Sequence, residues 1–380
     1  MNAQETGLGL YLHVPFCAST CDFCAFYQEK PQRQELDRYL DGVEKELKWI
    51  QPNRPFDTIF WGGGTPGLLP ADDLHRLGEL VVEASGQKPL EWTVELAPST
   101  VKRDKLQVLK DLGVNRISMG VQSFDEKFLE SLGRLHRPNQ IYQAYDWIRE
   151  AGFDNVNLDL MIALPGQDND DLLKDLREAC RLAPEHISTY CLTFEEDTAL
   201  WVKLSQGKIK QDLEMDASLY ESTWSELTHA GFEHYEISNF SKPGKACLHN
   251  INTWRMKEWI GVGPSAASQF QDIRYSNAAD IDAWLGQVEA NPEDRCEVVH
   301  LSQETLLEDA IIFGLRMGEG ISLSALSGRF GRESLDELTS FFKSLEDEGL
   351  VSIKSMDQVR LTLQGKLLAD RIAVELLDLV

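Results

Sequence analysis

The chain has 380 residues, of which 42% are hydrophobic and 26% are charged, a balance typical of a soluble globular protein. Its 37 Lys and Arg residues stand against 62 Asp and Glu residues, which gives a formal net charge of −25. Because nucleic-acid binding requires a positive surface, no nucleic-acid partner is expected. The first residues lack the basic segment and apolar run of a signal peptide, and no run reaches the length of a membrane span.

The first half of the chain alternates short apolar runs with amphipathic stretches. The predicted strands are Leu8–Val14, Asp57–Gly62, Trp92–Leu96, Arg116–Val121, Val156–Ile162 and His186–Leu192. The helices predicted between them are Gln34–Ile50, Asp72–Ala84, Lys102–Leu112, Gln140–Ala151 and Asp170–Leu182. Six such alternations with Val-, Ile- and Leu-rich strands predict an α/β fold with a parallel sheet covered on both faces, in the form of a barrel or partial barrel.

The alternation stops after Thr193. The helices predicted beyond it are Lys210–Ala230, Glu304–Arg316, Leu323–Phe330, Glu333–Glu348 and Leu363–Leu377. A short apolar–polar stretch covers His234–Phe240, and Leu350–Ile353 and Val359–Leu361 predict a two-stranded wing. The predicted organisation is therefore a partial (β/α)6 barrel over residues 1–240, a connecting segment over 241–300, and a smaller, mainly helical, winged-helix-like domain over 301–380.

Three of the seven cysteines lie within eight positions directly after the first predicted strand, as Cys17, Cys21 and Cys24. Thiolates are the usual ligands of iron–sulfur clusters, and three of them can hold three corners of a [4Fe–4S] cube. The fourth iron is then open to an exchangeable ligand. A structural zinc site would need a fourth ligand, usually from a second cysteine pair, and the other cysteines form no such pair. The odd count and the crowding indicate a metal role in a reducing cytoplasm rather than a disulfide framework.

Polar residues follow the next predicted strands. The Gly-Gly-Gly-Thr-Pro run at residues 62–66 either lets the backbone approach a ligand or only forms a tight turn. Glu95 and Gln122 lie at the ends of the third and fourth strands. Asp159 lies inside the apolar fifth strand and needs a partner there, which Arg134 or a bound ligand would supply. The planar guanidinium of Arg134 also suits a ligand carboxylate.

The cysteine spacing, with the aromatic Phe23 before the last cysteine, resembles the radical S-adenosylmethionine (SAM) superfamily. This resemblance implies a [4Fe–4S] cluster whose open iron is chelated by the amino and carboxylate groups of SAM. It also implies that an electron from the cluster splits the sulfonium C–S bond and gives a 5′-deoxyadenosyl radical. In such proteins the cofactor supplies the radical chemistry, and the protein contributes orientation and exclusion of water.

Motifs at residues 11–17, 61–66, 113–124, 159–167 and 234–240 are similar to those of the HemN/HemW family of radical SAM proteins. The similarity extends from residue 8 to about 277, and the last domain is compatible with the family. The family's positions that contact SAM or the cluster then fall on Tyr11, Phe23, Gly63, Gly64, Thr65, Glu95, Gln122, Arg134 and Asp159.

Two branches of this family compete. Oxygen-independent coproporphyrinogen III oxidases carry a fourth cysteine two residues after the third and a long arm before the first strand, whereas this chain has Phe26 and only ten residues before Tyr11. Both features resemble the HemW branch, which is regarded as a group of haem chaperones. The expected function is haem binding and transfer to acceptor proteins, with the membrane surface as one place of transfer and flavodoxin or ferredoxin as the electron donor. Coproporphyrinogen oxidase activity is not expected.

Two alternatives stay open beside the chaperone: an oxidase-like enzyme acting on a porphyrinogen or another organic substrate, and an iron–sulfur scaffold that binds SAM without turnover. HemW-like proteins also carry a Cys-x-His-Asn-x-x-Tyr-Trp stretch proposed to bind haem. It corresponds here to Cys247, His249, Asn250 and Trp254, with Thr253 replacing the tyrosine. By this resemblance the imidazole of His249 is the haem ligand. We expect it in a loop beside the barrel mouth; the alternative is a histidine bonded to backbone at a loop or helix start.

Overall fold

A computed structural model describes residues 7–377 except 51, 53, 291–294, 332–334 and 356. Its first half contains six parallel strands: β1 (Leu8–Val14), β2 (Phe56–Gly63), β3 (Glu91–Leu96), β4 (Arg116–Gln122), β5 (Val156–Ile162) and β6 (His186–Cys191). The helices between them are α1 (Arg33–Ile50), α2 (Ala71–Ser85), α3 (Arg103–Leu112), α4 (Glu126–Ser131), α5 (Pro138–Glu150) and α6 (Asn169–Arg181). Each of the strands β1 to β5 pairs in parallel with the strand that follows it, so the predicted parallel α/β sheet is confirmed.

The middle of the chain adds further strands to both ends of this sheet. Its elements are α7 (Ala199–Ser205), α8 (Leu213–His229), β7 (Glu233–Glu236), β8 (Asn239–Ser241), α9 (Leu248–Trp254), β9 (Trp259–Val262), β10 (Ala267–Phe270), β11 (Ile273–Ser276), α10 (Ile281–Ala290) and β12 (Cys296–His300). Among the described residues the strand order is β12-β11-β10-β9-β1-β2-β3-β4-β5-β6-β8-β7, an open sheet with β12 and β7 at its edges. The predicted helix over Lys210–Ala230 begins later, at Leu213, because the Asp212 side chain caps it.

The last part of the chain forms a smaller unit with its own core. It contains α11 (Gln303–Arg316), β13 (Ile321–Ser322), α12 (Leu323–Phe330), α13 (Leu335–Asp347), β14 (Val351–Lys354), β15 (Gln358–Leu361), α14 (Leu363–Leu367) and α15 (Ala369–Leu377). Helices α11, α12 and α13 with a small sheet agree with the winged-helix-like prediction, but β13 gives that sheet a third strand. The helix predicted over Leu363–Leu377 breaks at Leu368, and the predicted start at Glu333 lies outside the described residues.

The two faces of the parallel strands differ in chemistry. One face packs on the helices and forms the main core, with large buried side chains such as Trp61 and Trp92. The opposite face, called here the polar face, consists of the alternate residues of β1 to β6. Its members include Thr58, Glu91, Glu95, Arg116, Ser118, Asn157, Asp159, His186 and Ser188.

Within the described part of the chain, no helix combines the length and the apolar character that crossing a membrane requires. The division into segments 1–240, 241–300 and 301–380 stays a prediction. Residues 259–300 supply four strands, β9 to β12, that continue the large sheet beyond β1. Strand β9 pairs in parallel with β1, and β10 to β12 follow as an antiparallel meander.

Candidate cofactor site

The three clustered cysteines lie on a loop that leaves the carboxyl end of β1. The Cys17 backbone N–H donates to the carbonyl of Glu29 at 2.9 Å, and the Glu29 N–H donates to the carbonyl of Pro15 at 2.8 Å, so the base of the loop is closed. All three thiols are half-buried and free. Burial raises the pKa of the Cys17 thiol, and the neighbouring Cys24 and Cys21 thiols raise it further. The thiols are therefore close enough to interact electrostatically.

Each thiol of the loop has a different protein neighbour. The Cys17 Sγ lies 3.7 Å from the Thr65 hydroxyl. The Arg134 Nη1 donates to the Cys21 Sγ at 3.4 Å. The Gln28 amide donates to the Cys24 Sγ at 2.8 Å. These donors favour the thiolate form, which is the form that binds iron.

The glycine run after β2 packs directly under the cysteine loop. The Gly64 and Thr65 backbone N–H groups donate to the carbonyls of Val14 and Phe16, both at 2.8 Å. A β-carbon at Gly64 would lie 2.6 Å from the Val14 carbonyl oxygen. Gly63 has φ +90°, and a β-carbon there would collide with the His13 ring. The glycines are thus required by the close approach of two backbones. Thr65 beside them lines a pocket together with Cys17, Cys21 and Arg134, called here the opening.

Arg134 and Gln122 meet above Gly120 at the end of β4. The Arg134 Nη2 donates to the Gly120 carbonyl at 3.0 Å. A β-carbon on Gly120 would lie 3.0 Å from the Gln122 amide nitrogen and 3.3 Å from Arg134 Nη2, so both side chains pass over this glycine. The Arg134 Nε is buried and has no hydrogen-bond partner among the described residues. An unpaired donor beside the thiols fits an anionic ligand such as a carboxylate.

Glu95 and Asp159 lie on the polar face, on β3 and β5. Burial, followed by the charge of Asp159, raises the pKa of Glu95 to about 8. Burial also raises the pKa of Asp159. Hydrogen bonds from Ser118 at 2.9 Å and Asn157 at 2.7 Å lower this pKa, but by less than burial raises it. Of the two partners expected for Asp159, Arg134 does not pair with it and donates instead to Cys21 and Gly120. A bound ligand stays the other expected partner. Two carboxyl groups at this depth suit a ligand with several hydroxyl or amino donors.

Tyr11 and Phe23 lie near the same opening. The Tyr11 hydroxyl is 3.3 Å from the His13 Nδ1, and burial followed by the charge of Glu95 raises the pKa of Tyr11. Phe23 packs against a small apolar cluster that includes Phe128 and Leu164, which supports the cysteine loop from below. The structure therefore brings the predicted residues of β1 to β5 together at the carboxyl ends of the strands, where open α/β sheets bind ligands.

His249 does not belong to this group, and its expected place in a loop beside the barrel mouth is wrong. It lies in α9, only 8% exposed, with its backbone N–H donating to Glu91 and its Nδ1 3.1 Å from the Thr58 hydroxyl. Glu91 and Thr58 lie near the amino ends of their strands, opposite the thiols. Burial, followed by the charge of Arg116, lowers the pKa of His249 to about 4. His249 is a helix-start histidine, as the alternative has it, but its ring bonds the Thr58 side chain rather than backbone.

Gln28, beside the thiols, was not singled out by the sequence analysis, whereas His13 was expected near the cluster because it lies on the first strand beside Tyr11. Gln28 donates to Cys24, and its position four residues after that cysteine was the only available signal. The buried Nε2 of His13 has no hydrogen-bond partner within the described ranges, and burial lowers the pKa of this histidine to about 4. Burial and the missing partner both depend on the fold, so they were invisible in the sequence.

The thiols do not form a site for a single metal ion. Among the described residues, no group of three or more His, Cys, Asp or Glu side chains is arranged to hold one ion. A [4Fe–4S] cube binds each thiolate to a different iron, so its ligands need not converge on one point. The half-buried thiols, their donors and the unpaired Arg134 Nε fit such a cluster with an anionic ligand beside it.

The chain matches known families and a solved structure. Residues 11–179 match the radical SAM superfamily, and residues 301–368 match the HemN C-terminal domain. The structure is similar to that of coproporphyrinogen III oxidase (HemN) from Escherichia coli, with a TM-score of 0.85 and 24% identity over 97% of this chain and 90% of that one. This likeness shows a shared radical SAM fold.

Relatives at higher identity come from a second group. The heme chaperone HemW of Bacillus subtilis is 34% identical over 371 residues, which cover 95% of this chain and 97% of that protein. HemW of Escherichia coli is 37% identical over 268 residues, 68% of this chain and 69% of that protein. Similarity of this extent, together with the cysteine loop and the radical SAM fold, establishes that the chain belongs to the HemW family of radical SAM proteins.

Proposed function

We propose that this chain binds haem and passes it to haem-acceptor proteins. The observation that carries the proposal is the 34% identity to the B. subtilis protein over 95% of the chain, because the name of that protein states that it is a haem chaperone. Phe26 supports it, since this residue stands where the related oxidases carry a fourth cysteine, and it is 68% exposed.

As a radical SAM protein the chain uses a [4Fe–4S] cluster and SAM. We propose that Cys17, Cys21 and Cys24 hold the cluster, and that Gln28, Arg134 and Thr65 stabilise the thiolates. When bound and reduced, the cluster supplies the electron that cleaves SAM. Arg134, with its unpaired Nε, is suited to the SAM carboxylate.

The other SAM contacts proposed are Glu95 and Asp159, with Gln122, Tyr11 and the Gly63–Thr65 backbone around them. A carboxyl group on β3 can accept hydrogen bonds from the two ribose hydroxyls, and one on β5 can face the rest of the nucleoside. The raised pKa of Glu95, about 8, means that SAM binding near neutral pH is coupled to loss of its proton wherever both ribose hydroxyls donate to it.

We further propose the cytoplasm as the location, since the seven cysteines are free thiols, and flavodoxin or ferredoxin as the source of the electron. Acceptor proteins at the membrane surface are the proposed destination of the haem. His249 stays a predicted haem ligand. Because its ring is buried between Thr58 and Phe60, a macrocycle reaches it only after α9 has left its place against β2.

A haem titration tests the proposal. Apoprotein and anaerobically reconstituted protein are titrated with haem, and the Soret band is followed. We expect a saturable shift with both forms, reduced in His249→Ala and unchanged in His300→Ala, a control histidine on the exposed strand β12. Subsequent mixing with an apo-haem protein should transfer the bound haem. Absence of a saturable shift in the wild type rejects haem binding; equal shifts in both histidine variants reject His249 as the ligand.

A second candidate is an oxidase-like enzyme that acts on a porphyrinogen. It is favoured by the match of residues 301–368 to the HemN C-terminal domain. Phe26 argues against it, because the fourth cysteine of the oxidases is missing. The test is growth without oxygen of a strain that lacks the oxidase and carries this chain. We expect no rescue; robust rescue assigns the chain to the oxidase function.

A further inference from the structure

A chain of four hydrogen-bonded side chains runs across the polar face behind Asp159. The Asn157 amide nitrogen lies 2.7 Å from the Asp159 carboxylate, and the His186 Nδ1 lies 2.6 Å from the Asn157 amide oxygen. The His186 Nε2 lies 2.8 Å from the Tyr235 hydroxyl. Asn157 is 1% exposed and His186 is fully buried, so the middle of this chain is closed to solvent.

The direction of every proton in this chain follows from its two ends. At the Asp159 end, the amide nitrogen of Asn157 donates to the carboxyl group and gives its second proton to Ser118 at 2.7 Å. The amide oxygen of Asn157 then accepts from His186 Nδ1. The His186 Nε2 must therefore accept the Tyr235 hydroxyl proton, and the Tyr235 oxygen accepts the Cys247 N–H at 3.4 Å.

This arrangement requires one form of the imidazole, neutral with its proton on Nδ1. Burial, followed by the charge of Arg116, holds the pKa of His186 well below its usual range, so the ring is neutral near pH 7. The other tautomer would place two acceptors, His186 Nδ1 and the Asn157 oxygen, against each other at 2.6 Å. The Asn157 amide oxygen thus fixes the tautomer, and the Tyr235 hydroxyl holds the ring in place by donating to its Nε2.

Tyr235 lies where the C-terminal unit joins the sheet. Its backbone carbonyl accepts the Gly318 N–H at 2.7 Å, and the next residue, Glu236, forms a bridge with Met317. The hydrogen-bond chain thus begins at the contact with the C-terminal unit and ends on a carboxylate of the cofactor site.

We infer that Asn157, His186 and Tyr235 are positioning residues that fix the orientation of the Asp159 carboxylate for SAM, an inference that rests on the proposed SAM contact of Asp159. Held by Asn157 on one oxygen and Ser118 on the other, the carboxylate has no freedom to rotate. A carboxylate fixed in this way offers its free lone pairs to a ligand in one orientation.

The first experiment measures the tautomer in the wild-type apoprotein. Histidine ring nitrogens are observed by 15N NMR, with His186→Gln used to assign the signal. We expect a neutral ring protonated on Nδ1 from pH 6 to 8. A ring protonated on Nε2, or one that titrates in this range, overturns the inference without any functional assay.

The second experiment measures SAM affinity of reconstituted protein by equilibrium dialysis. Tyr235→Phe removes one hydroxyl and keeps the ring, so the His186 Nε2 loses its hydrogen-bond partner. We expect SAM binding to weaken about fivefold and the Nε2 signal of His186 to shift, with the proton still on Nδ1. The matched control is Tyr145→Phe, a buried tyrosine on α5 whose hydroxyl bonds Arg149 away from the polar face. It should lower thermal stability comparably and leave SAM affinity unchanged.

Asp159→Asn distinguishes the proposed SAM contact of Asp159 from the positioning role of Tyr235. If this variant binds SAM as the wild type does, the proposed Asp159 contact is wrong. If Asp159→Asn binds SAM weakly, the contact stands. The positioning role is then rejected if Tyr235→Phe has the SAM affinity of the wild type, or loses no more SAM affinity than Tyr145→Phe does.

Discussion

At the scale of single residues, each of the three loop thiols has its own hydrogen-bond donor, which stabilises the thiolate that would bind one iron. We predict that Cys17→Ala, Cys21→Ala and Cys24→Ala each prevent assembly of a complete cluster, because a cube with two thiolates is open at two corners. Iron and sulfide content after anaerobic reconstitution checks this. Cys296→Ala, at an exposed cysteine on β12, is the control and should keep a full cluster. Full clusters in any of the loop variants contradict the assignment.

The charged residues at the opening should matter in SAM binding. Arg134→Ala and Glu95→Ala each remove a charge-assisted contact, so we predict a loss of about 1.5–3 kcal/mol, roughly ten- to hundredfold in SAM affinity. Dialysis with reconstituted protein measures this. Arg137→Ala, three residues on and paired with Glu126 at the surface, should have no effect. Unchanged affinity in both site variants would refute the proposed contacts.

The raised pKa of Glu95 predicts a pH dependence of stability. The pKa of this carboxyl is 4.5 in the unfolded chain and about 8 in the folded protein. Between these two pH values the folded protein therefore binds more protons at Glu95 than the unfolded chain does. Its contribution to stability is therefore complete below about pH 4.5 and is lost as the pH rises through 8. Glu95→Gln lacks this loss, so the apoprotein variant should gain stability relative to the wild type between pH 5 and pH 8. Urea unfolding at both values checks it, with exposed Glu83→Gln as the control; a constant difference would contradict the raised pKa.

At the scale of elements, the bounds of β1 and β5 could be predicted to the residue, because a proline follows each apolar run within three residues. The polar face was missed. The alternation is present in the sequence of β3, where Glu91, Thr93 and Glu95 alternate with Trp92, Val94 and Leu96. This strand is nevertheless treated as an apolar run in the sequence analysis. Strands β9 to β11 have four residues each, too few to show a period, and the pairing of β9 with β1 depends on long-range contacts.

The place of α9 yields a prediction on stability. His249→Ala removes the hydrogen bond to Thr58 and the ring contact with Phe60, so we expect the haem-free protein to lose about 1–3 kcal/mol of unfolding free energy. Urea unfolding measures this. Leu248→Ala, the adjacent and exposed residue of α9, should cost much less. A negligible effect of His249→Ala would mean that α9 is not held against β2.

At the scale of the whole molecule, two cores are joined by a limited set of contacts. Trp254 of α9 packs edge-on against Phe313 of α11 with ring centroids 5.7 Å apart, and the Arg316 guanidinium lies 4.8 Å above its ring. Apart from β13 and the break at Leu368, the order of helices and strands in the C-terminal unit could be predicted from local patterns. The contact between the cores could not, because Trp254 was read as a partner for haem and its real partners lie about sixty residues away in the chain.

This contact predicts that Trp254→Ala weakens the attachment of the C-terminal unit. The substitution removes an aromatic contact and a cation–π contact, so we expect a loss of about 1–3 kcal/mol, concentrated in residues 301–377. Hydrogen exchange should show faster exchange in α11 and β13 than in β1 to β6. Trp49→Ala, at an exposed tryptophan on α1, controls for loss of an indole and should leave α11 protected. Uniform loss of protection in both cores would mean that the molecule unfolds as one unit, and unchanged exchange in α11 would show that Trp254 does not hold the two cores together.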